Sequence, residues 1–93
     1  MIASFACEET ARIFNRLVSR RFPADIQPAA YRKLVMLNAA TKLADLADVP
    51  GNRFEKLKGD RAESYSIRVN QQWRICFNWT GDDARDVEIV DYH

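Results

Sequence analysis

The chain has 93 residues, of which 47% are hydrophobic and 11% aromatic, so it can bury a core as one domain spanning residues 1–93. Its formal net charge of +1 excludes a nucleic-acid-binding polycation, although residues 1–80 hold thirteen Lys/Arg against eight Asp/Glu and leave a local basic surface open. No apolar run approaches the ~20 residues that span a bilayer. Two cysteines and an opening without a secretory apolar region predict a cytoplasmic protein.

The first part of the chain is predicted to form a strand and a helix. Residues 2–5 are a short apolar run, and residues 7–21 have helical spacing that Phe22-Pro23 ends. The apolar side of this helix is predicted to contain Ala11, Phe14, Leu17 and Val18. Arginines at positions 12, 16 and 20 form a predicted stripe, which is typical of a solvated helix face but is also open to nucleic-acid contact.

A second helix is predicted from Asp25, as its cap, to about Ala44. It is predicted to bury Leu34, Leu37 and Ala40, with Tyr31 as a further candidate. Because the link between the helices is short, they should form an antiparallel hairpin. That hairpin is too small to hide both apolar sides alone, so we expect it to pack on a sheet.

Residues 64–79 predict a β-hairpin, because apolar and polar side chains alternate on both sides of a polar loop. Residues directly opposed on two strands must share a face. A three-residue loop at 70–72 meets this condition, since it pairs Ile67 with Ile75 and Tyr65 with Phe77. A two-residue loop would mix the faces.

The same register opposes two arginines, Arg68 and Arg74, on the polar face. Like charges in this position are destabilising by ~0.2–1 kcal/mol. They are tolerated if both side chains extend into solvent, or if a carboxylate or bound anion lies between them. The pair is therefore either a solvated surface or a platform for phosphate.

Further strands are predicted at residues 53–58 and 86–90, with turns at 58–60 and 81–83. Val87 and Ile89 should face the core. A strand continued beyond them would send Asp91 and His93 inward and Tyr92 to the polar face. Either the strand ends near residue 90 or the last residues lie at a sheet edge, and the sequence leaves both open.

Asp91, Tyr92 and His93 are three consecutive groups that can move or orient protons. An imidazole has an ordinary pKa of about 6.5, which suits acid–base work near neutrality, and Asp91 could orient it. The alternative is a frayed polar tail. The sequence contains no Gly-rich phosphate loop or nucleophile elbow, and its single histidine excludes a multi-histidine metal site.

Several motifs together resemble the HigB family of toxins in the RelE/ParE superfamily. They are Leu57-Lys58-Gly59-Asp60, Ser66-Ile67-Arg68-Val69-Asn70, Trp73-Arg74-Ile75-Cys76-Phe77 and the final Asp91-Tyr92-His93. The resemblance implies an α+β fold with two N-terminal helices packed on a mainly antiparallel sheet. It also implies a metal-free, cofactor-free endoribonuclease that cleaves mRNA in the ribosomal A site.

The resemblance further implies partners and site residues. The partners are a helix-turn-helix antitoxin of the HigA type, the ribosome with its mRNA, and operator DNA through the antitoxin only, with no membrane. The implied catalytic residues are Lys58, Arg74, Asp91, Tyr92 and His93. Tyr65 lies where relatives often have tryptophan and is a candidate for stacking on RNA, whereas Arg68 is an RNA-binding candidate on the register argument alone.

Two alternatives belong to other functional classes. A ParE-like inhibitor of DNA gyrase shares the superfamily, but nothing in such a toxin requires the acid–base group at residues 91–93. A non-catalytic module that only sequesters a DNA-binding partner would bind the antitoxin without cleaving RNA.

Overall fold

The computed structural model describes residues 1–57 and 63–91, which form an α+β fold. The helices are α1 (Glu8–Phe14), α2 (Gln27–Ala39) and α3 (Ala44–Ala47), and the strands are β1 (Glu55–Lys56), β2 (Ser64–Arg68), β3 (Trp73–Thr80) and β4 (Asp83–Asp91). The strands form an antiparallel sheet in the order β1-β2-β3-β4. This confirms the predicted fold class. In the described part of the chain no helix has the length and apolar character to cross a membrane.

The β2–β3 hairpin has the predicted register. Tyr65 pairs with Phe77, and Ile67 pairs with Ile75. The three-residue loop is closed by Asn70, whose Oδ1 accepts hydrogen bonds of 2.8 Å from the backbone N–H groups of residues 72 and 73. The odd-numbered face is buried, as the alternation predicted, and it contributes Ile67, Ile75, Phe77 and Trp79 to the core.

A β-bulge in β4 shifts the alternation of that strand. Cys76 pairs with Glu88, whereas Asn78 pairs with Arg85, so β4 contains one extra residue between these pairs. Asp86 takes a left-handed conformation there, with φ of 52°. The buried residues in the second half of β4, Val87 and Ile89, have odd numbers. Ala84 is buried as well, because the bulge shifts the alternation by one residue. The strand therefore begins at residue 83 instead of the predicted 86.

Residues 2–5 lie beside β4 but do not form the predicted strand. Ile2 and Phe5 make isolated parallel bridges to Ala84 and Val87. The bridged partners lie on either side of the bulge, which prevents a continuous ladder. The segment nevertheless protects one edge of the sheet, since Val87 N–H donates to the Ser4 carbonyl over 3.1 Å.

The first helix is shorter than predicted and ends at Phe14 rather than near residue 21. Arg16 has a φ of 62°, and the N–H of Leu17 donates to the carbonyl of Arg12 over 2.8 Å. This left-handed residue with its backward hydrogen bond is a Schellman motif, which terminates a helix. Leu17 therefore lies outside the helix, and the predicted stripe of arginines does not form.

The second helix is also shorter than predicted and spans Gln27–Ala39. Ala40 is extended, with ψ of 134°, and the chain then enters α3. Asp25 lies within a 3-10 turn, Ala24–Ile26, so that Ile26 and not the predicted Asp25 is the N-cap residue of α2. The predicted buried face is confirmed, since Leu34 and Leu37 are fully buried and Ala40 nearly so.

Candidate functional site

Arg74 is a buried arginine in the middle of the sheet. It pairs with Arg68 of β2 on one side and with Val90 of β4 on the other. Only 6% of the residue is exposed. Its Nε donates to Ser66 Oγ over 2.9 Å, and its Nη2 donates to the carbonyls of Ser66 and Arg53. These acceptors hold the planar guanidinium in one orientation.

The face that carries Arg74 is less exposed than the sequence predicted. Ser64 and Ser66 are also buried on it. β1 pairs with β2, and the carbonyl of Arg53, close before β1, accepts a hydrogen bond from the guanidinium. Arg74 is therefore held within a polar layer rather than extended into solvent.

Arg68 and Arg74 are directly opposed, as predicted, and both guanidinium groups are bound to protein oxygens. Arg68 is half-buried, and its Nε donates to the carbonyl of Asn70 over 3.0 Å. Arg74 turns instead toward Ser66 and the Arg53 carbonyl. Separate acceptors direct the two charges apart, which explains how the sheet tolerates like charges in one cross-strand pair.

Asp91 is the last residue of β4 and is exposed. Its Oδ2 accepts a hydrogen bond of 3.1 Å from Gln72 Nε2. Asp91 pairs with Trp73, and paired residues share a face, whereas consecutive residues such as Trp73 and Arg74 point to opposite faces. The strand thus continues through residue 91, and the structure does not bring the Asp91 and Arg74 side chains to the same face.

A cleft of about 670 Å³ lies where the start of α1 meets the end of β4. Asp91 lies on its wall together with Arg21, Phe22 and Trp73. Phe22 and Trp73 meet edge to face, with ring centroids 5.5 Å apart. The sequence placed Trp73 in the core by its alternation, but it is half-buried at the margin of this cleft. The sequence signal for this partly exposed position was the polar loop at residues 70–72, which directly precedes Trp73.

Tyr65, the predicted stacking residue, packs within the protein. Its ring stacks on Phe54 with centroids 5.3 Å apart and planes 20° apart, and it also lies 6.1 Å from the Phe77 ring. Tyr65 is half-buried. One face of its ring is therefore used for packing in the described structure.

Three predicted site residues, Lys58, Tyr92 and His93, lie outside the described residues. Along the sequence, Tyr92 and His93 directly follow Asp91, and Lys58 directly follows Leu57. The geometry of the site consequently rests on Arg74 and Asp91, with Arg68 and Tyr65 on the neighbouring strand.

Two groups with shifted pKa values lie in the helical part of the described chain. Burial, and then the charge of Arg32, lower the pKa of Lys33. Hydrogen bonding lowers the pKa of Asp45, chiefly through the backbone N–H of Thr41. Both shifts follow from local packing around α2 and α3 and not from the sheet residues of the site.

Comparison with known proteins gives the family. Residues 3–93 match the family model for the HigB-like toxin, described as the RelE-like toxin of the type II toxin–antitoxin system HigB. The chain is 48% identical over 60 residues to Toxin HigB-1 of Vibrio cholerae, a match covering 64% of this chain and 63% of that toxin. It is 31% identical to Endoribonuclease HigB of Proteus vulgaris over 93 residues, the whole of both chains. A third relative, an uncharacterized protein of Haemophilus influenzae, is 30% identical over 69 residues, covering 74% of this chain and 68% of that protein. The chain therefore belongs to the HigB-like toxins, the RelE-like toxins of type II toxin–antitoxin systems.

Proposed function

We propose that this toxin is an endoribonuclease that cleaves mRNA in the ribosomal A site and thereby inhibits translation in the cytoplasm. An antitoxin of the HigA helix-turn-helix type neutralises it, and operator DNA is contacted only through that antitoxin. The full-length relative named Endoribonuclease HigB supports the activity. The observation that carries the chemistry is the fixed Arg74 guanidinium in the cross-strand pair with Val90, one residue before the group at positions 91–93.

Arg74 suits a role in stabilising a phosphorane. Cleavage by a neighbouring 2′-hydroxyl creates a pentavalent phosphorus with additional negative charge. A cation that is already oriented by Ser66 and Arg53 needs little reorganisation when that charge develops. Burial lowers the local dielectric and strengthens its interaction with an anion. The guanidinium is also rigid and planar, so these bonds fix its orientation in a way that they could not fix an ammonium.

The remaining catalytic roles are assigned to residues 91–93 and Lys58. The 2′-oxygen loses its proton and bonds to phosphorus, the bond from phosphorus to the 5′-oxygen breaks, and that oxygen takes up a proton. His93 donates this proton, and Asp91 orients the imidazole or accepts the 2′-hydroxyl proton. Lys58 adds a second positive charge at the phosphorane, and Tyr92 hydrogen-bonds or stacks on a base.

The ribosome supplies much of the positioning in this proposal. A small catalytic set suffices when the scissile phosphate is already held in place, because orientation alone lowers the barrier substantially. Arg68 is assigned to the RNA backbone, and Tyr65 to a base through the part of its ring that does not pack on Phe54. No metal ion or cofactor is required by this scheme.

Replacing His93 by alanine tests the assigned chemistry. We expect His93→Ala to abolish growth arrest and to lower mRNA cleavage by about 10²–10⁴-fold, the usual contribution of a positioned acid or base. The far-UV circular dichroism and antitoxin binding of the variant should match those of the unmodified toxin. Normal cleavage of ribosome-bound mRNA by His93→Ala would refute the role of the imidazole.

A further inference from the structure

Two large apolar side chains are exposed in the segment between α1 and α2. Leu17 is 51% exposed and Val18 is 75% exposed. They lie side by side in residues 15–23, which we call the α1–α2 loop. An exposed apolar pair on a small toxin costs solubility unless another surface covers it.

The α1–α2 loop is held in place at its start and at its apex. The Schellman motif at Arg16 ends α1. The guanidinium of Arg12 then donates two hydrogen bonds to the carbonyl of Val18, of 3.2 Å from Nε and 3.0 Å from Nη2. Arg12 therefore fixes the backbone that carries the most exposed apolar side chain.

The rest of the loop is held by buried polar contacts. Ser19 is 3% exposed, and its Oγ donates to Glu9 Oε1 over 2.7 Å. The side chain of Gln27 accepts from the N–H of Ser19 and donates to the carbonyls of Ser19 and Phe22. The apolar pair is thus presented by an ordered loop, so a partner would pay little entropy to bind it.

A groove of about 370 Å³ lies beside the exposed pair, between the loop and the start of α2. Its apolar lining is formed by Ile13, Leu17, Val18, Ala24, Pro28 and Tyr31. The groove lies in the helical layer, whereas Arg74 lies on the opposite face of the sheet from the core residues that support the helices. A contact at this groove is therefore separate from the Arg74 layer.

The charge around the groove specifies the partner further. Arg16 lines the groove itself, whereas Arg12 and Arg20 line an adjoining pocket that shares Val18 and also contains Glu8 and Glu9. The Arg16 guanidinium lies 5.0 Å from the centre of the Tyr31 ring at the groove. A complementary surface has apolar side chains for the groove and a carboxylate for Arg16.

We propose that this groove is the docking surface for the antitoxin, through a segment that inserts apolar side chains beside Leu17 and Val18 and places a carboxylate near Arg16. The proposal rests on the proposed function for the existence of that partner. A protein segment is favoured over ribosomal RNA, because RNA would engage the arginines but would leave the apolar pair and groove uncovered.

The test measures antitoxin affinity with Val18→Glu, using Val35→Glu as the matched control. Val35 is also an exposed apolar residue, 42% accessible, but it does not line the groove. Glutamate at position 18 places a buried charge against the antitoxin, and we expect Kd to rise by about 30-fold or more. Val35→Glu should bind like the unmodified toxin. Leu17→Ala, a milder change, should weaken binding in the same direction.

The same variants are assayed for mRNA cleavage in a translating extract and for sedimentation with ribosomes. Val18→Glu should retain both, while its growth arrest should no longer be relieved by the antitoxin. Unchanged antitoxin affinity of Val18→Glu would overturn the proposal. The proposal would also fail if Val18→Glu bound the antitoxin normally but no longer sedimented with ribosomes, because the groove would then be a ribosome contact. If the unmodified toxin cleaves no RNA but Val18→Glu still loses antitoxin binding, the nuclease function fails and the docking surface stands.

Discussion

Arg74 is buried in the fold, and it is also the residue to which phosphate binding is assigned. A buried guanidinium loses hydration, and that cost must be offset by hydrogen bonds to other groups. Ser66 and the Arg53 carbonyl supply such bonds. The same bonds fix the orientation that phosphate recognition needs. Structural support and the proposed catalytic role therefore depend on the same side chain.

Substitution of Arg74 should reduce cleavage more than substitution of Arg68. We expect a loss of about 10²–10³-fold for Arg74→Ala, comparable to the removal of one preorganised group from an oxyanion site. Arg68→Ala should cost less, because Arg68 is half-buried at the hairpin loop and bonds to Asn70. Single-turnover cleavage on programmed ribosomes measures both.

A fold control is necessary for this comparison. Arg74→Ala removes the guanidinium donor from the buried Ser66 side chain, and loss of such a buried hydrogen bond destabilises a fold by about 1–3 kcal/mol. Arg74→Lys keeps the positive charge but loses the planar fork, and it should also be strongly impaired. Equal losses in Arg68→Ala and Arg74→Ala, with both variants folded in urea titrations, would indicate a general basic surface instead.

At the scale of elements, the β4 bulge determines which side chains reach the core on each half of the strand. Asp86 holds a left-handed conformation, and its Oδ2 accepts a hydrogen bond of 3.1 Å from Asn78 Nδ2. Its backbone N–H is bound by Ser4 Oγ over 2.9 Å. The bulge thus connects β3, β4 and the first residues of the chain.

A β-branched residue at position 86 should destabilise the fold, while glycine should be tolerated. Asp86→Val forces a left-handed conformation on a side chain that resists it, at a cost of about 1–2 kcal/mol. Asp86→Gly has no such steric cost and loses only the exposed side-chain bond. Urea unfolding of both variants measures the difference. A valine variant as stable as the glycine variant would contradict the assigned conformation.

The start of α3 should contribute a pH-dependent stability. The Asp45 carboxylate accepts hydrogen bonds from Thr41 and Lys42, which lower its pKa below the ordinary value. A depressed carboxyl pKa contributes stability above the ordinary value near 3.9, and that stability is lost as pH falls through the folded-state pKa. The gap in unfolding free energy between the unmodified toxin and Asp45→Ala should therefore be constant near neutrality and narrow in acid. If this difference in unfolding free energy widened in acid, folding would raise the pKa of Asp45 instead of lowering it.

Sequence patterns predicted some elements better than others for physical reasons. The β2–β3 register was predictable because a one-residue slip would expose Ile67 and Ile75. The end of α1 was not, because the spacing of Leu17 and Val18 continues a helical period although a Schellman turn at Arg16 interrupts the helix. No glycine marks that turn. The burial of Arg74 was also missed, because it depends on Arg53, which is 21 residues earlier.

The candidate site was predictable in part. The register argument correctly opposed Arg68 and Arg74. A last strand was predicted at residues 86–90, and the structure extends it through Asp91. The alternation placed Asp91 on the inward face only if the strand continued beyond residue 90, and it left that open; the structure shows that β4 continues through residue 91. The role of Lys58 came from resemblance, and the roles of Tyr92 and His93 came from resemblance together with the proton-carrying groups at residues 91–93. All three stay predictions, and His93→Ala tests the last of them.

At the scale of the whole molecule, the sheet separates two regions. The helices and the α1–α2 loop lie on the face of Ile75 and Phe77, and Arg74 lies in the polar layer on the other face. Asp91 shares the face of Trp73 and lines a cleft with Arg21 of the α1–α2 loop, but neither Asp91 nor Arg74 lines the groove beside Val18. If the antitoxin docks in that groove, docking and cleavage can be changed independently. Single substitutions at Val18 and Arg74 should then separate neutralisation from cleavage.

Primer extension on mRNA from a translating extract, with and without ribosomes, tests the central claim most directly. The expected result is a set of new 5′ ends at codon positions within the reading frame, present only when ribosomes translate the message and absent with Arg74→Ala. A supercoiling assay on DNA gyrase, run beside it, should show no inhibition. Equal cleavage of naked mRNA, or inhibited gyrase without mRNA cleavage, would contradict a ribosome-dependent endoribonuclease.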